Sequence, residues 1–170
     1  IIFGHDDYTL MSHRGSYKSS CLSVGIALIM VMMPWYNIIF LRKADSDVTE
    51  MIKMVKKALK SRFICLLCEI LYNRQLYLIE DNAYSITTNL YTSASGASQL
   101  LGIGIKSSLT GKHADIVISD DICNIKDRIS KAERDFIKLQ YQELQNIKNG
   151  GGRIINLGTK WHKDDVFTTT

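Results

Sequence analysis

The chain has 170 residues, 46% of them hydrophobic, and a formal net charge of +4. That length reads as a single domain able to bury an ordinary core. So mild a basic excess permits contact with a polyanion without demanding it.

The pattern along the chain alternates between apolar strands and helices. Residues 8 to 11 read as a strand that feeds the loop "SHRGSYKSS" and a helix from about 19 to 32. The run Cys21 to Leu41 carries no formal charge and is long enough for a membrane helix. Pro34 and Asn37 interrupt it, however, so it reads as a buried helix followed by a buried strand over 37 to 42. With no membrane span and no signal peptide in view, the expected compartment is the cytoplasm, that of a host cell on the resemblance given below. Helices are predicted over 45 to 60, with Asp45 or Ser46 as the cap, and over 62 to 72. Shorter β-like pieces follow at 76 to 80, 84 to 90 and 100 to 107.

"ADIVISDD" is then a continuous apolar strand ending in two acids, 130 to 148 a charged amphipathic helix, and "GGGRIINLGT" a glycine turn into another buried strand. Apolar strands separated by helices predict a three-layer α/β domain with a mainly parallel sheet. Strands 8 to 11, 37 to 42, 115 to 119 and 153 to 158 are expected to be central and parallel. Cys65 and Cys68 form a C-x-x-C without a second ligand pair, so they read as one buried helical face rather than a metal or redox site. Both ends look cut, and the sequence reads as a fragment.

The loop resembles a phosphate-binding loop, G-x-x-x-x-G-K-[S/T], with Ser12 at the first glycine position and Tyr17 at the second. A nucleoside triphosphatase needs a Lys on the phosphates, a hydroxyl for magnesium and an acid at the end of a neighbouring strand. Lys18 and Ser19 supply the first two, and Asp120 the third. Each half alone is common in purely structural roles, and together they favour a P-loop nucleoside triphosphatase fold. The residues His13, Arg14, Gly15, Ser16, Tyr17, Lys18, Ser19 and Ser20 are the expected nucleotide-binding segment, with Ser19 and Asp120 as metal ligands. Asp121 follows where such ATPases carry the residue that polarises the attacking water, although Asp is one methylene shorter than the usual Glu. A solvated acidic turn is the competing reading. The strand ending at Gly158-Thr159 is expected beside the acidic one, with the Thr159 hydroxyl near the γ-phosphate.

The phrases "LMSHRGSYKSS", "IIFLRKADSDV", "SLTGKHADIVISDDI", "DRISKAERDF" and "GGGRIINLGTKWHKDDVF" resemble, in order and spacing, the ATPase domain of bacteriophage terminase large subunits. The "GTKWHKDDVF" segment is the most specific of them and is unlike a helicase motif. The resemblance implies an ATP- and Mg2+-dependent motor that packages double-stranded DNA. Its implied partners are a small terminase subunit, a portal and prohead, and further copies of itself in a ring. Arg14 and Ser12 match a habit of that family, and Arg14 would act as an arginine finger in its own or a neighbouring subunit. The family's C-terminal nuclease has no counterpart in this sequence. Tyr17 departs from the family's Gly before the Lys, where the backbone needs freedom near the phosphates. A catalytically silent relic or assembly domain from a decayed prophage is therefore the alternative.

Overall fold

The computed structural model describes Gly4 and residues 6 to 13, 15 to 123 and 129 to 159. The elements in chain order are β1 (Tyr8–Met11), α1 (Lys18–Met32), β2 (Ile38–Arg42), α2 (Asp45–Leu59), α3 (Arg62–Tyr72), β3 (Leu78–Asp81), β4 (Ser85–Thr88), β5 (Leu100–Gly104), β6 (Ala114–Asp120), α4 (Lys131–Ile147) and β7 (Lys148–Gly158).

Local chemistry accounts for most boundaries. Helix α1 is apolar nearly all round and correspondingly deep in the core, and it stops just before Pro34, which has no amide hydrogen to continue it. Helix α2 carries Asp45 and Asp47 in its first turn and Lys56 and Lys57 in its last, complementing the helix dipole. Its N-cap is Ala44, one residue before the predicted Asp45 and two before Ser46, so neither caps the helix and Asp45 contributes charge instead. In α3 the Ser61 hydroxyl accepts from the Ile64 amide, and Asn73 closes the helix in the left-handed region. In α4, Ser130 accepts from the Glu133 amide, half of an S-x-x-E capping arrangement.

The sheet runs β1-β7-β6-β2-β5-β4-β3. Its first five strands are parallel neighbours, and β4 and β3 add an antiparallel hairpin. Three of the four strands expected to be central are so. The fourth, β1, lies at the edge of the described sheet, with Leu10 and Met11 exposed. The reason is that β7, not β6, takes the place beside it, and only β7 pairs with it. The piece at 100 to 107 contributes β5, which extends the parallel core and lies so close to α2 that a Cβ on Gly102 would collide with Val48.

Alternate side chains of the strands enter two cores. Phe40, Ile116, Ile118 and Ile155 pack with α1, α2 and α3 on one face, whereas Ile39, Leu41, Val117 and Ile154 pack with α4 on the other. The result is a three-layer α/β domain. One polar row crosses it: Ser119 Oγ donates to Asn156 Oδ1 (2.8 Å), and the Asn156 amide donates to Thr9 Oγ1 (3.3 Å) and Tyr141 Oη (2.7 Å). Among the described residues no helix is long and apolar enough to cross a membrane. The four cysteines are free thiols, and Cys68 of the C-x-x-C is packed in the core.

Candidate functional site

Strand β1 ends at Met11, and Lys18 opens α1. Ser16 Oγ donates to Ser12 Oγ (3.1 Å), and the Ser12 amide donates to the Gly158 carbonyl (3.1 Å), which holds the loop against the end of β7. Gly15 has φ 82°, open to glycine without strain. Tyr17 adopts φ 54° and ψ 21°, also left-handed, with its ring 79% exposed and therefore not held by packing. It makes no side-chain cap for α1, so the amides of the first turn are not satisfied by its side chain. That arrangement leaves a helix N-terminus facing the loop, where an anion is favoured.

Across the sheet, β6 ends at Asp120 one strand away from β1, with β7 between them. Lys18 Nζ lies 2.6 Å from Asp121 Oδ1 and 3.5 Å from Asp120 Oδ1. Asp120 is fully buried. Its Oδ2 accepts from Arg42 Nε (2.9 Å) and Nη2 (2.5 Å) and more weakly from Ser19 Oγ (3.4 Å). Among the described residues its Oδ1 receives no hydrogen bond, only the distant Lys18 ammonium. Asp121 has φ 48°, a strained conformation for a non-glycine residue, and its amide donates to the Leu157 carbonyl at 3.0 Å. Thr159 Oγ1 donates to the Ser12 carbonyl (3.1 Å), joining the exit of β7 to the loop.

An open cleft of about 410 Å³ is lined by His13, Gly15, Ser16, Tyr17, Lys18, Ser19, Ser20, Asp121 and Thr159. Every sequence-predicted site residue but two therefore lies on one cleft wall. Asp120 stands behind it, reached through Ser19 and Lys18, and Arg14 lies outside the described residues, as does the "KWHKDDVF" part of the last phrase. Arg42 was missed by sequence reasoning. The signal was available: a cation closes the otherwise apolar strand IIFLR, as Asp120 closes its own.

The donors fit a magnesium ion. A serine hydroxyl and a carboxylate are hard oxygen ligands, and a buried carboxylate oxygen without a hydrogen bond among the described residues is what such an ion would satisfy. Among the described residues no cluster of three or more His, Cys, Asp or Glu could hold a metal.

No protein-family model and no curated protein matches the sequence. Among solved structures the chain is similar to an ATPase-domain mutant of the large terminase of Thermus phage P74-26, with a TM-score of 0.54 and 15% identity. The match covers 93% of this chain and 61% of that one, so the chain spans less than two thirds of its structural neighbour. At that identity the likeness establishes the fold: a mostly parallel α/β sheet of the terminase ATPase kind.

Proposed function

We propose that this domain binds ATP with Mg2+ and hydrolyses it, and that it serves as the motor of a phage DNA-packaging terminase, driving double-stranded DNA into a prohead. The observation that carries the reading is the meeting of Lys18, Ser19, Asp120 and Asp121 at the C-terminal ends of parallel strands, with Lys18 Nζ 2.6 Å from Asp121. In open α/β sheets that end is where ligands bind. The terminase-like fold favours this motor over other ATPases.

In this reading the loop amides and Lys18 hold the triphosphate, and Lys18 exchanges Asp121 for phosphate oxygen as ATP enters. Ser19 and Asp120 would hold the metal, which when bound neutralises charge on the β- and γ-phosphates. Freed of Lys18, Asp121 orients the attacking water and takes its proton while the bond from γ-phosphorus to the bridging oxygen breaks, leaving ADP and phosphate. Thr159 links the γ-phosphate position to the loop through Ser12. Arg14 stabilises the transferring phosphoryl group within its own subunit or a neighbour in a ring. The small terminase subunit and the portal are the further partners of such a motor.

Equilibrium binding of a fluorescent ATP analogue with Mg2+ tests this. Binding by the parent that Lys18→Ala abolishes is the expected result, and equal binding by both proteins sinks the reading. The silent-relic reading draws on Tyr17, whose left-handed backbone stands where phosphate must approach. It predicts binding without phosphate release.

A further inference from the structure

Arg42 has no part in the chemistry above, yet its guanidinium is seated on the groups that the proposed function gives to the metal. It donates from Nε (2.9 Å) and Nη2 (2.5 Å) to Asp120 Oδ2 and from Nη2 to Ser19 Oγ (2.7 Å). Its Nη1 contact with the Asp47 carbonyl is long at 3.4 Å, so these two oxygens are its principal hold. Asp120 is fully buried, and a buried carboxylate without a counter-ion is strongly destabilising. Lys18 is poorly placed to supply one, being 3.5 Å from Asp120 and committed to Asp121.

We propose that Arg42 is a tethered stand-in for the divalent cation: in the nucleotide-free domain it neutralises Asp120 through Oδ2 and holds Ser19 beside it, and it competes with Mg2+ for Ser19 Oγ and for the charge of the Asp120 carboxylate, whose Oδ1 stays open to the ion. This rests on reading Ser19 and Asp120 as the metal ligands. A guanidinium cannot shed its charge, so a cation arriving at Oδ1 and Ser19 repels the guanidinium on Oδ2 and displaces it from the pair. Arg42 is thus a positioning residue. It keeps the ligand pair assembled while the site waits, and it sets how tightly metal binds before nucleotide arrives.

The test titrates the nucleotide-free protein with Mg2+ and follows the Arg42 Nε–H resonance, assigned by its loss in Arg42→Lys. In the parent, Mg2+ is expected to release this group into exchange with solvent. In Arg42→Gln, Mg2+ affinity should rise about tenfold or more, the scale of one charge-assisted contact withdrawn from the competition. Mg2+ should also restore the melting temperature that this variant loses. A resonance unmoved at saturating Mg2+ overturns the proposal, as does failure of the parent to bind Mg2+ at all. Should Arg42→Gln not fold, the parent titration still decides the matter. ATP binding by the parent is measured alongside. ATP binding with an unmoved Arg42 refutes this inference alone, whereas Mg2+ release of Arg42 without ATP binding refutes the proposed function alone.

Discussion

Two of the polar clusters on the described sheet are built differently. At the antiparallel end, Glu80 accepts from the hydroxyls of Ser85 and Thr87 and from the Asn82 amide, and nearby Gln99 accepts from Thr88 and donates to the Met30 carbonyl. Those partners of Glu80 are all neutral. At the parallel end, two cations face two carboxylates and, among the described residues, one buried oxygen accepts no hydrogen bond and two of the three non-glycine residues with positive φ, Tyr17 and Asp121, flank the cleft. Satisfied neutral networks hold elements together. A charged, strained and incompletely satisfied one costs stability and is retained where chemistry uses it.

The largest effect expected of breaking that contrast is kinetic. Asp121→Asn should cut ATP turnover by about 10² to 10⁴, the span of losing a general base, while leaving affinity within a few-fold. Phosphate release beside equilibrium binding checks this, and Asp121→Glu should retain or raise the rate. Equal, unmeasurable turnover in all three proteins would favour the silent relic.

The antiparallel cluster should respond in stability alone. Glu80→Ala strands the buried Ser85 hydroxyl, so urea unfolding should lose about 1–2 kcal/mol with nucleotide affinity unchanged. Its pH dependence has a definite sign. Burial works to raise the Glu80 carboxyl, but the hydroxyls of Ser85, Thr87 and Ser98 and the Asn82 amide outweigh it and hold the group below its ordinary value. A depressed carboxyl contributes stability above its unfolded pKa, so that contribution should fade as pH drops through about 4 and below. The Glu80→Ala protein should lack that component of the acid transition.

The smallest effect sits at Tyr17. A left-handed non-glycine residue costs about 1–2 kcal/mol, against about 0.5–1 kcal/mol of extra chain entropy lost by glycine on folding. Tyr17→Gly should therefore stabilise the domain by about 0 to 1.5 kcal/mol in the same unfolding experiment and preserve or improve nucleotide binding. A clear loss of stability would make the ring a packing group despite its exposure.

Much of this was legible in the residues, and what escaped has physical causes. Lys18, Ser19, Asp120 and Asp121 sit at strand ends and helix starts, where punctuation of an apolar run by a charge marks position directly. The same mark at Arg42 went unread, because a single cation after IIFL is equally at home on a solvated edge. β1 was misplaced since its four residues, YTLM, are as apolar as an interior strand, and which strand lies beside it is decided by non-local pairing with β7. The hairpin of β3 and β4 was seen only as short pieces, having no turn signal strong enough to fix its register.

The Asn156 row bears on folding fidelity. Thr9 and Ser119 are the lateral partners of Asn156 on either side of β7. Sliding β7 by one residue would turn its faces over and drive an unpartnered amide among aliphatic neighbours. It would also strand the Ser119 hydroxyl. Each such group costs about 1–3 kcal/mol, so two or three together rival the whole stability of a small domain. Mis-slid competitors are thereby removed from the ensemble. The three strand ends that carry the loop, Thr159 and Asp120 finish level with one another because a misaligned sheet is too unstable to persist.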